Sequence, residues 1–356
     1  MREPYSFPSD WLRGGADRDV AVYSEARLSR VLDDALFPGR SSLSEARETR
    51  DRIVRALSLR CADLSVVLLD EADGAEIRAA EEAGWIELDA ADGQATAMAF
   101  GDGGRTCFVI NDRDHLRISC RAAGASAAQA YARARAWDEA LEGTLPFAAD
   151  LRSGYLGASI ADAGSTFSIR SLAFIPGIIA AGVFERVSKG LLASGIEPRV
   201  RAEEGDLPPS PFLELVARCP AFSAEEEFIE SFSSSARNLA EGERLTRARL
   251  AASRRIVLED AAGRAAALLS AARLLSETEA VHLLAEMRAG LAYGLFAPLG
   301  DGDDDPYAAV DSLSARIGGG MVRLAALARG DPTDRESLDA QRAALVRADS
   351  PRYHIV

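Results

Sequence analysis

The stretch from Thr96 to Ile118 constrains the fold more than any other part of the chain. Two runs, Thr96 to Phe100 and Arg105 to Ile110, flank Gly101-Asp102-Gly103-Gly104. Short apolar runs on either side of a glycine-rich turn read as a β-hairpin. A dense charged segment follows: Asn111-Asp112-Arg113-Asp114-His115-Leu116-Arg117, holding one of only three histidines in 356 residues. A segment that leaves a strand is positioned by the sheet, which can aim its side chains at a ligand. Charge alone equally fits a solvated loop between strands.

Composition narrows the classes. The length suggests two domains, or one large domain with an appendage, and an apolar content of 48% is enough for a core. A net charge of −14 argues against a nucleic-acid partner, which needs a basic field. Of the 41 basic residues only Lys189 is a lysine, so any phosphate contact is made by guanidinium, which suits bidentate geometry. Cys61, Cys107, Cys120 and Cys219 are widely spaced and form no CxxC pair. They give no zinc signature, and without a signal-peptide pattern reduced thiols and a cytoplasmic setting are expected. No run approaches about 18 apolar residues, so no membrane span is expected.

Periodicity supplies the remaining elements. Asp19 to Leu32 carries Arg27 and Arg30, three apart, which share a face if the segment is helical. Ser44 to Leu59 reads as a helix with Ser44 as its N-cap, Leu64 to Leu69 as a strand, and Ala75 to Gly84 as a helix. Ala125 to Leu141 reads as an alanine-rich helix, Phe167 to Phe174 as a strand, and Pro176 to Leu192 as a helix packed back on the sheet. Gly154 to Ser165 is rich in small residues but lacks the Gly-Lys-Ser/Thr ending of a phosphate loop. A second charged cluster, Arg199 to Asp206, runs into Leu207-Pro208-Pro209-Ser210-Pro211, which cannot be regular structure. Beyond Ala224 the pattern is almost wholly helical, and Ser276 with Glu279 fits a capping box. Boundaries near residues 85 and 255 give an N-terminal lobe at 1–85, a sheet domain at 86–254 and a helical C-terminal domain at 255–356.

Five segments in order resemble the phosphagen kinases (ATP:guanidino phosphotransferases), and most closely their bacterial protein-arginine kinase branch. Trp11 through Arg30 resembles the family's opening, a Trp followed by Ser-Ser-Arg-x-Arg-Leu-x-Arg. Asn111 to Arg117 resembles Asn-Glu-Glu-Asp-His-Leu-Arg. Gly154 through Gly164 resembles Gly-Tyr-Leu-Thr-Ser-Cys-Pro-Thr-Asn-x-Gly, and Arg201 to Asp206 resembles Arg-Gly-x-x-Gly-Glu. Leu275 to Phe296 and Arg335 to Arg347 resemble the helical domain of the protein-arginine branch. The resemblance implies an α+β fold: a small helical N-terminal lobe, an antiparallel sheet flanked by helices, and an all-helical C-terminal domain. It also implies ATP and Mg2+, protein substrates or adaptor partners, and a homodimer.

The resemblance also assigns roles, and the residues meet them unevenly. Arg27, Arg117 and Arg201 match phosphate-clamp arginines. Two further clamp positions fall on Glu25 and Ser168. Arg170 would stand in for the latter, since residues 168 and 170 of a strand face the same way, roughly 7 Å apart. The catalytic Glu falls on Arg113, which stays protonated and cannot act as a base. The loop Cys falls on Ser159 and the loop Asn on Asp162. Asp206 nearly matches a second acid, and Asp112 is a further candidate for acid–base work. His115 belongs to the signature and is expected to support the loop. At an effective dielectric of about 20, unit charges about 4 Å apart interact by about 4 kcal/mol, so the inversions at Glu25 and Arg113 each oppose a ligand unless they pair with one another. In the C-terminal domain Glu286 and Arg288 fall where the branch has a phosphoarginine pocket; an ordinary surface ion pair is the alternative.

Three functions follow: an active protein-arginine kinase with a moved base; a catalytically silent relative acting as partner or adaptor in protein quality control; or a phosphotransferase whose anionic acceptor is held by Arg113.

Overall fold

A computed structural model describes residues 5–87, 94–158, 164–200, 210–298, 305–350 and 353–355. Its centre is an eight-stranded sheet formed by β1 (Ala21–Arg30), β2 (Ser65–Leu68), β3 (Ala97–Gly101), β4 (Thr106–Ile110), β5 (Leu116–Ala123), β8 (Phe167–Phe174), β9 (Glu197–Val200) and β10 (Phe212–Arg218). A separate two-residue pairing joins β6 (Ala149–Asp150) to β7 (Gly154–Tyr155). The strand order is β2-β3-β4-β5-β1-β8-β10-β9, and every neighbouring pair is antiparallel. The hairpin read from the glycine turn is β3–β4, with Gly101 opposite Thr106.

Asp19 to Leu32 is not helical: it supplies β1, which lies between β5 and β8. Successive strand residues point to opposite faces, so Arg27 and Arg30 are on opposite sides of the sheet, and Glu25 and Arg27 are on the same side. On one face Ala26, Leu28, Ile118, Cys120, Phe167, Ile169, Leu213 and Leu215 are buried in the main core. It is covered by α3 (Ala127–Glu142) and the first part of α6 (Glu225–Ala271).

The helices N-terminal to the hairpin are α1 (Leu43–Ser58) and α2 (Gly74–Glu82). The cap of α1 is Ser42, not Ser44. Ser42 accepts from the Glu45 N–H, and Glu45 reaches back to the Ser42 N–H, satisfying two orphan donors at once. The segment after Pro176 is two helices, α4 (Pro176–Ala180) and α5 (Phe184–Ala193), parted by Gly182 at φ +65°, a left-handed conformation that a helix cannot contain.

The C-terminal region contains α7 (Glu277–Ala292), α8 (Ala308–Ser314), α9 (Gly319–Arg329) and α10 (Arg335–Asp349). It is helical apart from a short antiparallel pairing of β11 (Phe296–Pro298) with β12 (Tyr353–Ile355). It has its own core around Leu269, Leu284, Val310 and Val346. Helix α6 bends at Arg254, whose φ/ψ of −134°/26° are not helical. None of the described helices is long and apolar enough to cross a membrane.

The two regions are joined by the N-terminal segment. Arg18 donates to Asp311 Oδ2 at 2.8 Å and to Asp305 Oδ2 at 2.8 Å. Arg288 donates to Asp311 Oδ1 at 2.7 Å and to the Arg18 carbonyl at 2.9 Å. Helix α9 meets α2 at Gly320, where an added Cβ would come within 2.5 Å of the Ala79 nitrogen.

Candidate functional site

The sheet face opposite the main core is lined with charge, and strand register explains why. Ser119 and Ser168 flank Arg27; Arg121 and Arg170 flank Glu25; Arg117 lies opposite Ser29. On β10, Val216 and Arg218 oppose Arg170 and Ser168, and on β9 Arg199 opposes Glu214. Strand alternation thus brings arginines from five different strands to one side.

A cavity of about 210 Å³ opens on this face. Arg27, Arg113, Arg117, Arg170, Arg199 and Arg218 line it, against three acids: Glu87, Asp112 and Asp114. So Arg27, Arg113, Arg117, Arg170 and Asp112, singled out in the sequence, do converge on one cavity. Ser159, Asp162, Arg201 and Asp206 lie outside the described residues.

Glu25 is not in the cavity lining. It is 1% exposed and accepts from Arg27 Nε and from Arg121 Nε, the latter at 2.7 Å. Burial pushes its carboxyl up, but Arg27, Arg121 and Arg170 outweigh that and hold it well below the carboxylate range. Glu25 does not pair with Arg113, the arrangement that would have offset both inversions. Glu25 is the counter-ion of the cavity floor, because its in-register neighbours on both strands are arginines. Burial draws Arg27 down to about 10; Glu25 opposes the shift, while Arg117 and Arg170 add to it. It stays protonated at neutral pH.

The end of α2 runs across the same face. Beyond its cap at Ala83 the carbonyls of Ala83, Gly84 and Trp85 accept from Arg121 Nη1 at 2.7 Å, Arg27 Nη2 at 2.9 Å and Arg117 Nη2 at 2.8 Å, respectively. The last carbonyls of a helix lack internal partners and carry its negative dipole end, so Arg121 completes the helix at its cap, and Arg27 and Arg117 hold the turn that follows. Trp85 also stacks on Arg121, 3.5 Å from ring centroid to guanidinium carbon.

Two cavity arginines keep unsatisfied donors. Arg117 gives Nη1 to Asp112 Oδ2 at 2.8 Å, and Arg170 gives Nη1 to Glu87 at 3.0 Å and Nη2 to Glu214. The Nε of each is buried with no partner among the described residues. Arg30, Arg52 and Arg247, outside the cavity, have a buried Nε in the same condition, so it is the gathering of six guanidiniums around one cavity that fits phosphate oxygens. The residues present therefore suit a polyphosphate. Among the described residues no three His, Cys, Asp or Glu side chains gather to hold a metal.

The acceptor side differs. Arg113 is exposed at the cavity and makes no ion pair among the described residues. Asp112 is buried, with Oδ1 unpartnered among the described residues. Burial raises its carboxyl above the usual value, Arg117 opposes the shift, and Asp114 adds to it. Asp114 turns toward the small-residue loop and accepts from the Ala158 N–H at 2.8 Å. His115 Nδ1 accepts from the Leu32 N–H at 2.9 Å, and the Leu36 carbonyl lies 2.8 Å from Nε2. This fixes a neutral ring with the proton on Nε2 and leaves His115 to hold the loop.

Glu286 and Arg288 do not form a pocket pair. Two residues apart on α7, they are directed about 200° around the helix from one another. Arg288 is 1% exposed and is committed to Asp311. It links α7 to α8 and to the Arg18 carbonyl. Sequence reading passed over Arg121, Arg218 and Glu87. The alternation Arg117-Ser119-Arg121 was the available signal for Arg121; Glu87 had none.

The family model for the ATP:guanido phosphotransferase C-terminal catalytic domain matches residues 53–246, and that of the protein-arginine kinase McsB C-terminal domain matches residues 255–352. Among solved structures, the duplicated taurocyamine kinase from Schistosoma mansoni superposes with a TM-score of 0.56 at 18% identity, over 68% of this chain and 36% of that one. Lombricine kinase gives 0.56 at 16%, over 70% and 72%. The chain belongs to the phosphagen kinase superfamily of ATP:guanidino phosphotransferases. Within it, the chain falls in the bacterial protein-arginine kinase branch. It is 28% identical to the protein-arginine kinase of Symbiobacterium thermophilum over 347 residues, covering 96% of each chain. It is also 28% identical to that of Moorella thermoacetica, covering 95% of this chain and 96% of the relative.

Proposed function

We propose that this chain is a catalytically silent protein-arginine kinase relative that keeps the anion-binding half of the phosphotransfer site and acts by binding. The observation that carries this reading is Arg113. A guanidinium open to the cavity stands where the resemblance calls for the catalytic carboxylate, and it both repels a guanidinium acceptor and cannot take its proton. The cavity lined by Arg27, Arg117 and Arg170 supports retained polyphosphate binding. ATP would lie with its phosphates along Arg27, Arg117 and Arg170, and magnesium, arriving with the nucleotide, would neutralise phosphate charge. Protein clients or adaptors, a homodimer and a cytoplasmic setting belong to the same reading.

The test is phosphotransfer from magnesium-ATP to an arginine-rich protein, with phosphoarginine read by mass spectrometry. No product from the wild type, together with nucleotide binding in calorimetry, is the expected result. Product from the wild type overturns it. A second reading, an active kinase with a moved base, is favoured by Asp112, whose buried carboxyl has a free oxygen and a raised pKa. Phosphoarginine formed by the wild type and lost in Asp112→Asn selects that reading. Product appearing only in Arg113→Glu locates the silence at that residue.

A further inference from the structure

The carboxylate of Glu87 lies among the cavity arginines. It accepts from Arg170 Nη1 at 3.0 Å, and Arg27 Nη1 stands 3.7 Å away. These two guanidiniums, with Arg117, are the ones a polyphosphate would need. Glu87 is tethered in place, because its chain has just delivered the Gly84 and Trp85 carbonyls to Arg27 and Arg117. Its side chain is half exposed, so it is not fixed by burial in a core and can swing out. Arg170 and Arg27 are each 10% exposed at the side chain; Arg27 keeps its buried partner Glu25 and Arg170 its partner Glu214, so the half-exposed Glu87 is the carboxylate that an incoming anion would replace.

We propose that Glu87 is a built-in occupant of the anion site, holding Arg170 and Arg27 in place of a phosphate and withdrawing when an anionic ligand binds. This rests on the polyphosphate-binding reading given above. A self-ligand lowers apparent affinity by the fraction of time the site is free. If Glu87 is engaged about nine-tenths of the time, the apparent affinity is about tenfold weaker than the intrinsic one. The exposed carboxylate sets that balance without closing the site.

Calorimetric titration of the full chain with tripolyphosphate and with magnesium-ATP tests this. Glu87→Gln keeps the shape and removes the charge; Glu87→Ala removes both. Glu185→Gln makes the same change in net charge at an exposed position whose partner is Lys189. The expected result is binding about tenfold tighter in both Glu87 variants and unchanged in Glu185→Gln. Equal affinity in wild type and Glu87 variants overturns the inference and leaves the anion site standing. Equal tightening in Glu185→Gln also overturns it, since net charge alone then suffices. No binding by any variant overturns the anion site itself, and this inference with it.

Discussion

Replacing Glu25 by glutamine tests whether the inverted residue is the counter-ion of the arginine face. Its carboxylate is 1% exposed, and the side chains of Arg27 and Arg121 that donate to it are 10% and 4% exposed. Arg170 lies in register on the other neighbouring strand. Glutamine preserves the shape and one acceptor but leaves buried guanidiniums facing one another. Removing one partner of a buried ion pair costs about 3–5 kcal/mol, and the retained hydrogen bond places glutamine near the lower end. Against a typical domain stability of about 5–15 kcal/mol, the loss is large. Urea unfolding followed by circular dichroism and tryptophan fluorescence measures it, with Trp85 stacked on Arg121 as a local reporter. The sign of the pH dependence follows from the depressed carboxyl. The charge contributes stability above the unfolded value near 4.3, and that contribution is lost as pH falls toward the lower folded value. The gap between wild type and variant should therefore narrow steadily below about pH 4. A loss under about 1 kcal/mol at pH 7, or a gap that does not narrow in acid, refutes the reasoning. Adding Arg121→Met should return part of the loss, because one of the stranded charges goes with it.

Other perturbations address other parts of the molecule. Asp311→Ala leaves the buried Arg288 without a carboxylate and Arg18 with Asp305 alone, and should cost about 3–5 kcal/mol, seen as earlier thermal unfolding. Gly320→Ala should destabilise by about 1–3 kcal/mol through overpacking against α2, although alanine ordinarily favours a helix by about 1 kcal/mol; a stabilised variant would show that α9 does not press on Ala79. His115 is held neutral, with burial lowering its pKa while the Leu36 carbonyl opposes the shift. Stability should fall as pH drops from about 6.5 toward that lower value, and His115→Asn, which keeps an acceptor for the Leu32 N–H, should flatten this slope in a pH series of unfolding curves. Arg113→Glu, being exposed, should change the unfolding free energy by no more than about 0.5 kcal/mol, so any change in phosphotransfer is not a folding artefact.

Local patterns in the sequence located much of the sheet, and tertiary pairing decided the rest. The β3–β4 hairpin and β8 were legible because apolar runs and glycine turns leave few alternatives. Strand β1 was not, since Ala26-Arg27-Leu28-Ser29-Arg30 fits either a helical or a strand period, and only pairing with β5 and β8 selects one. Strand β10 directly follows a proline-rich loop, which obscures the alternation of Leu213, Leu215 and Ala217 with Glu214, Val216 and Arg218. The arginines of the site could be named by resemblance, but their partners could not. Glu25 looked like an obstacle to an anion because its cross-strand neighbours are distant in sequence. Arg288 looked like a recognition residue because its aspartate lies on another helix. Glu87 became visible only when the end of α2 was seen to cross the arginine face.

The clasp of Arg18 by Asp305 and Asp311 also sets an order of events during synthesis. Arg18 and Asp311 are 293 residues apart. At a translation rate of roughly 5–20 residues per second, the first of them waits on the order of 15–60 s for the second. Strand β1, next to Arg18, has its own neighbours β5 and β8 long before that. The sheet can therefore close around β1 while the guanidinium just ahead of it is still hydrated, and the clasp on Arg18 forms only after the sheet strands have been made.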